Sequence, residues 1–257
     1  MKDRMFCKVL SNVEIAKDIH KLEIERIDGF GEIKPGQFLH IKCGGEGLLL
    51  RRPISISYIE KDRIGLIIRR AGKGTKLLCD KKVGETLDVL GPLGNGFSID
   101  DEVEKVIVIG GGIGTAPLLE LVKSLKGKDI AVLLGYRDEP YLVDDFEQWV
   151  KGVKVATEDG SFGYKGYVTD LLEEEIKNNR VDIIYACGPE IMLKKVQDIC
   201  NRYKKKSQLS IEERMACGVG ACLVCTCKVK AEEKGVKYVR TCKDGPVFWG
   251  DEVMFHE

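Results

Sequence analysis

The 257-residue sequence has no net charge, because 41 Lys and Arg are balanced by 41 Asp and Glu. No basic surplus is available to neutralise phosphates, so a nucleic-acid partner is not expected. Long apolar runs are also missing. The longest candidates, such as VIVIGGGIG and IAVLLGY, fall short of the roughly 20 residues needed to span a bilayer, so no membrane partner is expected. The start, MKDRMFCKVL, has no apolar signal segment, which points to a cytoplasmic location where thiols stay reduced. Only three histidines occur, His20, His40 and His256, all outside the glycine motifs. They read as surface or packing residues, and no catalytic acid–base residue is expected. Internal repeats and low-complexity tracts are absent.

Cysteine, in contrast, is plentiful. Of ten cysteines, five fall in the stretch ERMACGVGACLVCTCKV and the later YVRTCKDGPVF. Cys217, Cys222, Cys225 and Cys242 follow C-x4-C-x2-C-x16-C. The first three match the plant-type spacing for a [2Fe–2S] cluster, with the fourth ligand farther along the chain. Gly218 and Gly220 suit a loop that must wrap closely around such a cluster. Other readings of the same residues are a zinc site, a disulfide pair or inert thiols. Cys227 reads as a neighbour of the cluster, not a ligand. Cys7, Cys43, Cys79, Cys187 and Cys200 are scattered and read as small buried apolar residues.

Three regions are expected. Over residues 1–98, six short segments from CKVLSNVEIA to ETLDVLGPLG have strand-like patterns with Gly and Pro at the turns. They predict an N-terminal antiparallel β-barrel. Over 99–208, strands alternate with helices, which predicts a Rossmann-like parallel α/β domain with helices on both faces. RYKKKSQ reads as a surface linker or solvated helix end. Residues 209–257 form a small cysteine-rich domain with too little core of its own, to be held by its cluster.

Two strand-to-helix turns carry anion-binding signals. Gly110, Gly111, Gly112 and Gly114, followed by Thr115 and Ala116, suit close approach to a pyrophosphate at a helix N-terminus. Thr115 stands where strict G-x-G-x-x-G has its third glycine, and the turn also reads as a tight connection only. Cys187, Gly188, Pro189 and Glu190 make the second turn. Cys187 reads equally as a buried thiol or a nicotinamide contact. In the barrel region, Arg52, Pro53, Ile54 and Ser55 combine a phosphate-pairing guanidinium with a rigid backbone. Gly72, Gly74 and Thr75 form a further glycine turn. Arg137, Asp138 and Glu139 leave NAD or NADP open.

Taken together, RPIS, RRAGKGT, GPLGNGF, GGGIGTAPL, ACGPE and ACGVGACLVC…CKDGPVF resemble the electron-transfer subunits of class 1B dihydroorotate dehydrogenases, within the ferredoxin reductase-like flavoproteins. The resemblance covers essentially the whole chain, and the terminal cysteine set is its most specific part. It implies that Arg52, Pro53, Ile54 and Ser55 bind FAD, together with Ile68, Arg69, Arg70, Gly74 and Thr75. Ile54 stands where many superfamily members have an aromatic residue, and the loop before Gly74 is slightly shorter. Gly110, Gly111, Gly112, Gly114, Thr115, Ala116, Cys187, Gly188, Pro189 and Glu190 would serve NAD. Cys217, Cys222, Cys225 and Cys242 would ligate the cluster. The implied partner is an FMN-containing catalytic subunit, in a heterotetramer of two copies of each. Alternatives are a related reductase subunit serving ferredoxin, sulfide or a hydrogenase, and a zinc-held redox sensor or binding module.

Overall fold

The computed structural model describes residues 4–231 and 235–255; His256 lies outside them. The six expected strands are β1 (Arg4–Ala16), β2 (Ile19–Glu25), β3 (Phe38–Lys42), β4 (Arg52–Ile59), β5 (Arg63–Arg69) and β6 (Thr86–Leu93). They close into a barrel in the order β1-β2-β5-β4-β3-β6, antiparallel throughout. Alternation along the strands puts Val9, Leu22, Ile24, Leu39, Ile41, Ile56, Ile64, Leu66 and Val89 inside, and this apolar filling is what holds a small barrel closed. A short helix, α1 (Lys73–Cys79), follows β5.

The second region builds β7 (Lys105–Gly111), α2 (Leu118–Ser124), β8 (Asp129–Tyr136), α3 (Val143–Glu147), β9 (Lys154–Thr157), β10 (Tyr164–Lys165), α4 (Val168–Asn178), β11 (Ile183–Cys187), α5 (Glu190–Arg202) and β12 (Lys206–Ser210). The six strands run parallel, in the order β10-β9-β8-β7-β11-β12. One face carries α4 and α5 over Ile107, Ile109, Leu172 and Leu193. The other packs α2 and α3 over Val108, Leu134 and Tyr185, and reaches Tyr58, Ile67 and Phe97 from the barrel side.

The lysine-rich segment is not a linker. Arg202 ends α5, Lys204 turns at φ 52°, and Lys206 begins β12, where Ser207 and Gln208 are buried. Pairing with β11 satisfies the backbone there, which outweighs the local charge.

The C-terminal region adds β13 (Thr226–Ala231), β14 (Gly235–Arg240), β15 (Val247–Trp249) and β16 (Val253–Met254). Strands β14, β13 and β16 form a small antiparallel sheet. Strand β15 leaves it and pairs antiparallel with β12, becoming the seventh strand of the large sheet. The edge of that sheet is thereby covered, and the cysteine-rich region is fastened to the α/β layer. Further ties run from Asn95 N–H to Gly245 O at 2.6 Å and from Ile211 N–H to Pro246 O at 2.9 Å.

Strand β4 couples barrel to sheet. Its Ser57 hydroxyl donates to Ala116 O at 2.8 Å, and Ile59 N–H donates to the Glu120 carboxylate at 2.7 Å. One strand therefore begins at Arg52 and ends bonded to the helix that follows the glycine turn.

Candidate functional site

The two nucleotide-type turns stand side by side because β7 and β11 are neighbours, with Gly110 opposite Cys187. Both lie at strand C-terminal ends, where open α/β sheets bind ligands. A Cβ on Gly114 would come within 2.6 Å of the Cys187 carbonyl and the Gly188 Cα. Only a hydrogen fits between the turns. Met192 from α5 lies against Gly111 and Gly188, a contact that no local sequence signal announces. Gly112 has φ 53° and open space before it. The Thr115 hydroxyl is spent within the turn, donating to Gly112 O at 2.9 Å. The Cys187 thiol is half-buried at its strand end, and burial pushes its pKa up to about 12. Pro189 precedes the first turn of α5, and Glu190 is exposed.

In the barrel, Arg52 and Gly74 meet. A Cβ on Gly74 would lie 2.8 Å from Arg52 Nε, and the guanidinium donates to the Leu50 carbonyl at 2.7 Å. Thr75 Oγ1 accepts from Ala71 N–H and Gly72 N–H at 3.0 and 3.1 Å, which shapes the loop itself. Arg70 pairs with Asp80 at 2.8 Å, whereas Arg69 is exposed. Ile54 and Ile68 turn their side chains into the barrel core. Their backbones, not their side chains, are what a ligand on the outside could touch.

The cysteine loop follows β12. Gly218 and Gly220 have φ of 73° and 83°, and Leu223, without a glycine's freedom, is held at 59°. Such a residue is a mark of local strain at a functional loop. Cys217 Sγ accepts from Val219 N–H at 3.5 Å and from Ala221 N–H at 3.3 Å. Burial raises the Cys217 pKa, but these donors and Cys222 outweigh it and bring it down to about 6, whereas burial pushes Cys242 up to about 12. Cys242 joins from the other arm of the sheet. Arg240 clamps that arm, making three bonds to the Asp244 carboxylate, one from its backbone N–H and two from its guanidinium, and donating to Gly220 O at 3.3 Å. Thr241 N–H donates to Cys225 O at 2.8 Å.

Cys222 acts on the Cys217 thiol, and Cys225 and then Cys217 act on the Cys242 thiol, so the four cysteines stand together. Among the described residues, no group of three or more His, Cys, Asp or Glu is disposed around a single metal ion. The four differ in depth: Cys225 and Cys242 are 2% and 1% exposed, while Cys222 is exposed at the surface. Cys227 stands apart, buried with Val229 and Val239 in the core under α5. Cys7, Cys43, Cys79 and Cys200 are buried.

His40 was not a candidate from sequence, yet it is fully buried beside this loop. Among the described residues neither ring nitrogen has a hydrogen-bond partner, and a Cβ on Gly218 would lie 2.5 Å from its Nδ1. Burial, then the charge of Arg51, push its pKa down to about 4 against the opposing pull of the Arg51 and Cys217 backbones. His20 is buried too, 3.2 Å from Asn12 Oδ1. Of the two readings, surface or packing, both histidines take the second.

Comparison with known proteins bears on this arrangement. Residues 212–254 match the iron–sulfur cluster binding domain of dihydroorotate dehydrogenase B, and 108–198 match an oxidoreductase NAD-binding domain. An electron transfer subunit of dihydroorotate dehydrogenase B (NAD(+)) from Caldanaerobacter subterraneus subsp. tengcongensis is 45% identical, over 99% of this chain and 100% of its own length. The chain belongs to the family of these electron transfer subunits. Another dihydroorotate dehydrogenase B electron transfer subunit, from Clostridium acetobutylicum, is 40% identical over 97% of both chains. A solved NADH-dependent reduced ferredoxin-NADP oxidoreductase, described for flavin-based electron bifurcation, superposes with a TM-score of 0.86 at 33% identity, over 96% of this chain and 89% of its own. Phthalate dioxygenase reductase, at 18% identity and a TM-score of 0.65, shares the fold. Among the described residues no helix is long and apolar enough to cross a membrane.

Proposed function

We propose that this chain carries FAD, NAD and a [2Fe–2S] cluster and links a partner that oxidises dihydroorotate to NAD+. The partner is an FMN-containing catalytic subunit, and the assembly is a cytoplasmic heterotetramer of two copies of each. The observation that carries this reading is the frame joining three sites. Strand β4 starts at Arg52 and is bonded at Ser57 and Ile59 to the nucleotide layer. Strand β3, opposite Pro53, sets His40 against the cysteine loop. A bound flavin exchanges electron pairs with nicotinamide and single electrons with an iron–sulfur centre, so it belongs between them.

The chain's residues bind and orient. Arg52 and the Gly74 turn would hold the flavin's phosphates, with Pro53, Ile54, Ser55, Ile68, Arg69, Arg70 and Thr75 along it. Gly110, Gly111, Gly112, Gly114, Thr115 and Ala116, with Cys187, Gly188, Pro189 and Glu190, would hold NAD. Cys217, Cys222, Cys225 and Cys242 would hold the cluster. Regions 1–98, 99–208 and 209–257 serve these roles in turn, although β12 spans the last boundary. NAD is preferred to NADP because the curated relatives are named for it.

The full chain, purified without oxygen, is expected to contain one FAD and one two-iron cluster, and NADH is expected to bleach both absorptions. A colourless, zinc-containing protein would overturn the reading.

The exposed side of the cluster marks the partner's position. Val219, Leu223 and Val224 are exposed around Cys222, while Val247 and Phe248 are buried behind it. Leu223→Asp should abolish copurification with the catalytic subunit and leave NADH oxidation by the chain alone intact. Aspartate tolerates a φ near 59° better than leucine, so the backbone is not further strained. Copurification at the unsubstituted level would place the docking surface elsewhere.

A further inference from the structure

We propose that His40 is a positioning residue of the electron path, fastening the cysteine loop to the barrel by donating its ring N–H to the backbone at Cys217. The inference rests on the function proposed above, and it extends it to a side chain outside every motif.

The argument begins with an unmet demand. His40 is 0% exposed, and among the described residues both of its ring nitrogens lack a hydrogen-bond partner. An apolar side chain would fill the same space without burying two polar atoms, so the imidazole needs a polar reason to be there. The groups around it are few. On one side Pro53 faces it across the β3–β4 ladder, and Leu90 of β6 faces it on the other. Arg51 donates to the His40 carbonyl at 3.3 Å and is itself neutralised by Asp88 at 2.7 Å, which fixes the strand that bears the ring.

Over the ring lies the cysteine loop. Gly218 is so close to Nδ1 that no Cβ fits there. The Arg51 backbone and then the Cys217 backbone act on the ring in the sense that favours its proton, as acceptors do, and of the two only Cys217 belongs to the cysteine loop beside Nδ1. A hydrogen bond from Nδ1–H to the Cys217 carbonyl would meet the demand of the ring. The same loop supplies the Val219 and Ala221 N–H groups to the Cys217 sulfur. Holding the carbonyl of a ligand residue therefore holds the donors to its sulfur, and such donors tune the potential of a cluster.

The test uses the full chain with both cofactors, in the unsubstituted form and as His40→Leu and His40→Asn. The EPR spectrum and midpoint potential of the reduced cluster are read, with FAD content as the control. Leucine should alter the g-values and lower the potential while FAD stays full. Asparagine, whose amide N–H lies near the place of Nδ1–H, should restore both. A leucine variant with unchanged spectrum and potential would overturn the proposal. So would an asparagine variant shifted as far as leucine, since that result means packing alone.

Where His40→Leu fails to retain its cofactors, [15N]histidine-labelled unsubstituted protein decides. A weak 15N coupling to the reduced cluster that His40→Asn removes supports the contact; no such coupling overturns it. Absence of any [2Fe–2S] signal in the unsubstituted chain would overturn the function proposed above, and this inference with it. A normal signal indifferent to His40 overturns the inference alone.

Discussion

Cys225→Ser is expected to remove the cluster entirely while leaving FAD in place. Cys225 is 2% exposed, packed with Phe38, Leu93 and Cys242, and its carbonyl receives Thr241 N–H at 2.8 Å. Its thiol therefore has no room to be replaced by a neighbour or by water. A serine hydroxyl there is a poor ligand, because it stays protonated where a thiol ionises readily. The loss should spread through the cysteine loop, whose own core is small. It should stop at the barrel, whose interior is a separate apolar cluster from Val9 to Val89. The expected readout is a reduced protein without a [2Fe–2S] EPR signal but with full flavin absorbance. Cys227→Ser is the control. That thiol belongs to another core, so the cluster should survive at a stability cost of about 1–3 kcal/mol for the buried polar replacement. Retention of the cluster in the first variant and loss in the second would show that the ligand set is wrong.

The second large effect is expected at the nucleotide turns. Gly114→Ala puts a methyl group 2.6 Å from the Cys187 carbonyl carbon and oxygen and from the Gly188 Cα. These are backbone atoms at the end of a central strand, paired on both sides, and they cannot swing aside as a flexible side chain would. Overpacking of this kind costs about 1–3 kcal/mol. If the cost falls on binding, NADH affinity drops about five- to 140-fold, at roughly 1.4 kcal/mol for each factor of ten. Steady-state kinetics should show a raised KM for NADH with flavin and cluster content unchanged. Dithionite should reduce the variant as fully as the unsubstituted chain. An unaltered KM would mean that NADH does not bind across these two turns.

Both effects concern residues that the sequence marks openly. The cysteine spacing and the glycine turns are local signals, as are the six alternating strands and the strand–helix alternation, so the barrel and the parallel sheet were legible from the residues. Long-range placement was not. The three residues Val247–Trp249 are too short a run to announce a strand, yet β15 completes the large sheet because β12 offers an unpaired edge. Ser207 and Gln208 lie in a lysine-rich stretch that reads as solvated, but pairing with β11 buries them. His40 sits in an ordinary strand pattern, FLHIK, and its relation to Gly218 spans most of the chain. Ile68 shows another limit. A strand motif names the residue, while the alternation of the strand decides that its side chain enters the barrel core.

The central claim is that this chain carries electrons between dihydroorotate oxidation on a partner and NAD+. Its most direct test is an anaerobic titration of the complex, made by coexpressing the chain with the catalytic subunit, using dihydroorotate as the only reductant. Flavin and iron–sulfur absorption should bleach together, and NAD+ added afterwards should restore both with formation of NADH. The isolated chain should not respond to dihydroorotate. A complex whose cluster and flavin respond to NADH but never to dihydroorotate would contradict the account and point to a reductase with another partner.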